Sequence, residues 1–362
     1  MRFGQQTTLV VAAVVGGLVL VATSQNASAQ IVSDAACAVP GCCEPGCAVG
    51  CAEPQAACDD DEYESLWEHL MHREPKWTFH GEALALQRTS ARDRELFNAV
   101  RTPGSDPLSA ENVNFKFAPG YEVSAIRHDL GGFDWEASFF QVDSFEAVNG
   151  VAGVSHMVTD KNNAGFTVQD GRANYTSRIY NGELNMRMNC EDFCTVLVGF
   201  RMLQLHEQYL GSGMDVQSTS ITDSLDIRTF NHMYGTQIGA EIPVYDEGGP
   251  LLISVLCKGG AFDNFAHENY DRVGASGGQA VTRSGSHGRN QAAFLGEVGV
   301  KANYAITERL SCHICAHGLW ITGLAVAPEQ IGAVDLSTNR YSINTSGATF
   351  YYGVGLGTEY RF

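Results

Sequence analysis

The stretch GATFYYGVGLGTEYRF at the C-terminus alternates with a period of two. Phe350, Tyr352, Val354, Leu356, Thr358, Tyr360 and Phe362 fill one register. Tyr351, Gly353, Gly355, Gly357, Glu359 and Arg361 fill the other. Such a period predicts a strand whose two faces meet different surroundings. A glycine face weakens a strand unless another group approaches it closely. The same alternation recurs upstream. Phe294, Val298, Val300 and Tyr304 oppose Glu297, Gly299, Lys301 and Asn303. Tyr180, Leu184, Met186 and Met188 oppose Asn181, Glu183, Asn185 and Arg187, and Phe230, Tyr234, Ile238 and Ile242 oppose Asn231, Gln237, Gly239 and Glu241.

Ten extended segments are predicted: 76–88, 117–128, 132–145, 177–189, 194–208, 229–243, 251–264, 291–307, 311–325 and 348–362. They are longer than ordinary strands, and a transmembrane strand needs about 9–11 residues to cross. HDLGGFD, NCEDFC, YDEGGPL and ITERLS read as short turns. The polar stretches 89–116, 146–176, 209–228, 265–290 and 326–347 read as long loops. The fold class predicted is therefore all-β: a closed antiparallel transmembrane β-barrel of about 10 strands, with short periplasmic turns and long extracellular loops. Twelve strands are the alternative count, with 165–175 as one of those added. Lipid outside and a polar interior account for both faces together, because unpaired backbone groups cannot stand in hydrocarbon. Aromatic residues at strand ends (Trp77, Phe79, Phe133, Trp135, Tyr304, Trp320, Tyr351, Tyr352, Tyr360 and Phe362) suit interfacial girdles. Segment 194–208 departs from the scheme by placing Arg201 beside Leu203 and Leu205 on the polar face. A soluble sandwich keeps the same periodicity, but the number and length of the strands argue against it.

The chain opens with an apolar run from Leu9 to Ala22 and small residues at Ala27 and Ala29, the form of a signal peptide over 1–29. The next segment, 30–58, carries Cys37, Cys42, Cys43, Cys47, Cys51 and Cys58 among glycines and prolines. Disulfides within it, or cross-links to neighbouring envelope proteins, fit an oxidising compartment, and spacing does not decide the pairing. Residues 59–75 form an acidic linker or short helix, and 76–362 form the barrel. With 41 acidic against 23 basic residues and a net charge of -18, nucleic acid is excluded as a partner, since phosphate binding wants a basic stripe. Glycine (39) far outnumbers proline (10), which suits bulges and crowded sheet faces.

Five stretches carry a family resemblance: SAIRHDLGGFDWEASFFQVD, RIYNGELNMR, TVLVGFRMLQLHE, FNHMYGTQIGAE and GLWITGLAVAPEQI. Over about residues 76–362 the chain resembles the β-barrel porins of planctomycete bacteria. The resemblance implies an outer-membrane location, with outer-membrane lipid as surroundings and no catalytic residues. Tyr360 and the terminal Phe362 resemble the signal read by the barrel assembly machinery.

The lumen candidates are Glu82, Glu136, Glu183, Arg187, Arg201, Glu241, Lys258, Glu297, Lys301, Glu359 and Arg361. They either tune a narrow channel for ions or small solutes or pair across the interior and fill it. The second case makes the protein a structural or adhesive envelope component. No GxSxG or HExxH motif is present, and no enzyme or cofactor is expected. In CHICAHG, His313, Cys315 and His317 share one strand face with Cys312 turned away. Three donors in a straight row do not surround an ion, so no metal is expected. Cys190 and Cys194 flank a turn and suit a hairpin disulfide.

Overall fold

The computed structural model describes residues 76–99, 107–190, 193–216, 222–276, 279–338 and 340–362. The expected signal, cysteine-rich and acidic segments (1–29, 30–58 and 59–75) lie outside the described residues. Five strands form the first half: β1 (Trp77–Arg88), β2 (Glu95–Ala99), β3 (Leu108–Ser109), β4 (Ala118–Arg127) and β5 (Asp134–Val158). Five long or central strands follow: β6 (Gly165–Cys190), β7 (Cys194–Asp215), β8 (Thr222–Asp246), β9 (Leu251–Ser276) and β10 (Gln279–Ala305). The last two are β11 (Leu310–Leu324) and β12 (Gly347–Arg361).

Ten of these pair antiparallel in a ring, in the order β1-β4-β5-β6-β7-β8-β9-β10-β11-β12 and back to β1. Each of the ten expected segments overlaps one ring strand. The join between first and last is complete at the end that carries the short turns, here the lower end. There the Phe362 carbonyl accepts from the Lys76 and Trp77 amides at 2.8 and 2.9 Å, and the Phe362 amide donates to Trp77 at 2.7 Å.

The expected closed barrel with long loops is nevertheless corrected. The sheet has twelve strands, and β2 and β3 lie outside the ring as a spur on β5. Residues 165–175, the candidate for an added strand, are the first part of β6. Ring pairing also stops part-way up. The β4–β5 ladder ends at Gly120 opposite Val142, and the β10–β11 ladder ends at Phe294 opposite Thr322. Above those levels β5 to β10 continue as an open six-stranded sheet, up to Val158 opposite Gly165 and Gln279 opposite Ser276. The stretches 146–176, 209–228 and 265–290 are therefore mostly strand, not loop. Only 89–117 and 325–346 remain as long connections, and each carries a 3-10 turn, at Ala110–Asn112 and Ala327–Ala333.

The physical reason lies in how the faces invert along each strand. Below a common level the outward rows across β6, β7, β8 and β9 are apolar: Met188–Val196–Ala240–Cys257, then Met186–Val198–Ile238–Gly259. Above it the outward row is Thr176–Gln208–Arg228–Asn269, which is polar. The inward rows change in the opposite sense. Glu183 and Arg201 face each other below, whereas the inward row above is Tyr175–Tyr209–Ile227–Tyr270, all buried. Stretches that keep their alternation but exchange faces look merely polar when only one register is followed. The inversion also accounts for Leu203 and Leu205 beside Arg201, since both enter the buried apolar core of the upper half.

That core fills the trough of the open sheet. Leu96, Phe97 and Phe115 from 89–117, and Val326, Ile331 and Val334 from 325–346, pack with Phe145, Met157, Val168, Leu225 and Tyr351. Tyr351 is 1 % exposed and belongs to this core. It is not a girdle residue, because it sits in the inward register of β12.

Candidate functional site

The chemistry is concentrated inside the ring. Contacts between strands that are not neighbours run through the interior, which identifies inward side chains without ambiguity. Arg201 on β7 reaches Glu297 on β10 at 2.6 Å, and Lys258 on β9 reaches Glu183 on β6 at 2.9 Å. Glu183 also accepts from Asn181, Asn185 and Gln237 at 3.0, 3.1 and 2.7 Å, and Arg201 lies 3.3 Å from it. Lys258 stands 3.7 Å from Glu297. Two carboxylates and two cations thus neutralise one another, with amide side chains occupying the remaining hydrogen-bonding positions. Buried charges are tolerated only in this condition.

A second group lies nearer the lower rim. Arg187 forks between Glu136 and Glu241, at 2.7 Å to each, and Glu241 accepts from Ser254 at 3.1 Å. Lys301 on β10 pairs with Glu359 on β12 at 3.3 Å, and Arg361 pairs with Glu359 at 3.1 Å from an exposed position at the rim. The structure therefore places Glu136, Glu183, Arg187, Arg201, Glu241, Lys258, Glu297, Lys301, Glu359 and Arg361 in these two pair networks. The partners are mostly not sequence neighbours: Glu297 meets Arg201 and Lys258, while Lys301 meets Glu359.

Glu82, the remaining lumen candidate, belongs to a third cluster. Its Oε2 lies 3.0 Å from His313 Nε2 and 3.3 Å from His80 Nε2, and its Oε1 lies 2.7 Å from His317 Nε2. His80 and His313 bring their Nε2 atoms to 2.8 Å, with the rings stacked at a centroid distance of 4.5 Å. Cys315 faces the same side, with its Sγ within 4.8 Å of the Glu82 and His317 donor atoms. Glu122 on β4 stands directly opposite Glu82 in the ladder. The row His313–Cys315–His317 alone could not surround an ion, but β1 supplies His80 and Glu82 from two strands away. Sequence reasoning passed over His80 and Glu122. Their signal is modest: each shares the polar register of its segment, His80 two residues before Glu82 and Glu122 between the outward Tyr121 and Val123.

Glycine answers for this geometry. β12 lies between β1 and β11, and its inward face carries Gly353, Gly355 and Gly357. A Cβ at Gly355 would overlap the Glu82 carboxylate, and one at Gly357 would stand 2.6 Å from His313 Nε2. The bare strand lets side chains of β1 and β11 meet above it.

The upper half holds a buried ion pair, Arg88 with Glu207. Glu207 accepts from the Tyr175 hydroxyl at 2.8 Å and from the Ala327 amide at 2.9 Å. The Arg88 guanidinium donates to Thr349 at 3.3 Å and lies over the rings of Phe115 and Tyr175 at 4.9 and 5.1 Å. This node ties β1, β6, β7 and β12 to both long connections.

The two residues of the expected Cys190–Cys194 disulfide end β6 and begin β7. Both thiols are free, although the residues oppose each other in the β6–β7 ladder. Cys37, Cys42, Cys43, Cys47, Cys51 and Cys58 lie outside the described residues.

No family model and no curated protein matches the chain. Among solved structures, the outer membrane protease OmpT from Escherichia coli is 10% identical, with 79% of this chain and 96% of that chain covered at a TM-score of 0.45. The translocator domain of the autotransporter NalP from Neisseria meningitidis is also 10% identical, covering 79% and 89% at 0.38. The toluene transporter TodX from P. putida is 6% identical, covering 82% and 92% at 0.32. These matches are to outer-membrane strand proteins as a general class, not to one porin family. At such identities and scores the likenesses transfer no function.

Proposed function

We propose that the chain is an outer-membrane protein whose ring sits in lipid by its outward apolar belt, and whose filled interior makes it a structural or adhesive envelope component. The observation that carries the membrane reading is the inversion of faces at one level. Apolar side chains gain by turning away from water. Apolar-out segments therefore require lipid, and apolar-in segments require water, along the same long strands. Two rows separate the regimes, Tyr180–Gln204–His232–Phe265 and Arg178–His206–Phe230–His267. Their rings pack together, His206 against Phe230 at 5.0 Å and against His232 at 5.4 Å between centroids. Amphipathic aromatic rings favour such a boundary. On β12 the outward belt runs from Phe350 to Phe362, about 40 Å of strand at 3.3 Å per residue, which suffices for a tilted crossing.

The filled interior favours the structural reading over the channel reading. Arg201, Asn185, Leu203, Leu205 and Asn231 all point inward and have no exposed surface. The pair networks occupy the lower half and the apolar core the upper half. On this reading the partners are outer-membrane lipid, the assembly machinery acting on Tyr360 and Phe362, and envelope proteins joined through the N-terminal cysteines. No catalytic group is required, and the resemblance to planctomycete porins bears on location alone.

Planar-bilayer recording on the refolded mature chain, with and without residues 30–75, tests the proposal. A correctly folded protein that inserts and stays silent is the expected result. Steady, salt-dependent current would replace the structural reading by the channel. Recovery of the mature chain as a detergent-free soluble monomer would remove the membrane reading.

A further inference from the structure

The cluster on β1 and β11 has a composition that ion pairing alone does not explain. Three imidazoles converge on one carboxylate, and a second carboxylate, Glu122, stands opposite it in the ladder. Like charges directly opposed in a sheet are destabilising, more so away from bulk water. Lys258, Arg201 and Lys301, cations of the same interior, are each engaged with other carboxylates. The neighbourhood is therefore rich in nitrogen and oxygen donors and short of positive charge.

The donor geometry is specific. The Nε2 atoms of His80 and His313 and the Oε2 of Glu82 form a triangle with edges of 2.8, 3.0 and 3.3 Å. Ligand bonds of about 2.0–2.1 Å in tetrahedral array imply edges of about 3.3 Å. The triangle thus matches one face of a tetrahedron to within about half an ångström, an adjustment that small ring rotations supply. Three further features make this a built site. His317 holds the other carboxylate oxygen at 2.7 Å, fixing the orientation of Glu82. The glycines of β12 clear the space in which the donors meet. His80 and His317 keep 12% and 25% of their side-chain surface open, which leaves an approach for an ion and for a solvent ligand.

We propose that His80, Glu82 and His313 bind one divalent transition-metal ion inside the ring, with His317 as a positioning residue for Glu82. Two imidazole nitrogens and one carboxylate oxygen suit zinc and its neighbours, cobalt and nickel, and disfavour calcium and magnesium, which take oxygen ligands. A water completes the shell. The ion links β1 to β11 across β12 and so cross-braces the junction of the first and last strands.

The test uses the full mature chain refolded in detergent, with Cys37, Cys42, Cys43, Cys47, Cys51 and Cys58 replaced by serine so that the cysteine-rich segment does not compete and Cys315 stays free. Cobalt(II) is titrated by visible absorption and zinc by calorimetry. One equivalent should bind, with no sulfur-to-cobalt charge-transfer band. His80→Gln and His313→Gln should each weaken binding by at least about tenfold, since a lost ligand costs no less than a lost outer-shell partner. His232→Gln, on the outer surface, should leave it unchanged. Heat-modifiable migration on gels establishes that each variant is folded. Should His313→Gln fail to fold, His80→Gln at the more open position decides alone. No binding up to millimolar metal, an affinity indifferent to His80→Gln, or a charge-transfer band placing the ion on Cys315 would each overturn the proposal.

Discussion

Arg88 and Glu207 illustrate what a single residue does in this protein. Both side chains are fully buried, and each holds several partners besides the other. Removing one member leaves an uncompensated charge in the core, at a cost of about 3–5 kcal/mol. Arg88→Met and Glu207→Leu should each lower the urea midpoint of the refolded protein accordingly. The double variant should recover most of the loss, a coupling that a double-mutant cycle measures. Asp335, outside the strands, predicts a pH effect. Hydrogen bonds from Ser337, Lys161 and Thr338 hold its carboxyl well below the usual carboxylate range. Because the folded-state value is depressed, its contribution is full above the ordinary carboxylate range and fades as pH falls from that range down through the lower folded value. Proteolysis within 325–346 should therefore accelerate in acid. Asp335→Asn should show the faster cleavage already at pH 7 and lose the acid dependence; an unchanged pH profile would disprove this.

At the scale of the element, β12 carries the clearest message. Its outward face is aromatic and aliphatic, and its inward face is glycine because β1 and β11 need that space. Gly355→Ala should push Glu82 off His313 and His317 and destabilise by about 1–3 kcal/mol, as overpacking does. Gly81 on β1 has nothing within 4 Å of where its Cβ would stand, so Gly81→Ala should be neutral or mildly stabilising. Equal effects at the two positions would refute the spatial explanation. The alternation of β12 was legible in the sequence, as was the closeness of something to its glycines. What approached was not, because Glu82 lies more than 270 positions earlier in the chain.

On the proposed reading, the described strands form one sheet in two media. Leu356, 66% exposed on the outward belt, should respond to charge as a lipid-facing residue does. Leu356→Arg should cost about 2–4 kcal/mol in folding into vesicles. Ser284→Arg, on the exposed upper part of β10, should change little. The same penalty at both positions, or at neither, would contradict a belt confined to the lower half. The upper half follows the rule of a water-soluble domain, with a buried aromatic row and two long connections folded into the trough.

The sequence by itself determined the local facts: ten extended segments, four tight turns, and inward charge opposed to outward hydrophobicity near the turns. Period-two alternation is written in adjacent residues, so it is readable without partners. Tertiary structure alone decided where ring pairing stops, because that depends on how far unequal strands overlap. It also decided that apparent loops are strands with exchanged faces, since either face is sensible only once its medium is known. The pairing of Arg201 with Glu297, and the meeting of His80 and Glu82 with His313, were likewise decided there. Side chains on non-adjacent strands meet only across an enclosed interior, and no spacing along the chain encodes which of them will face one another.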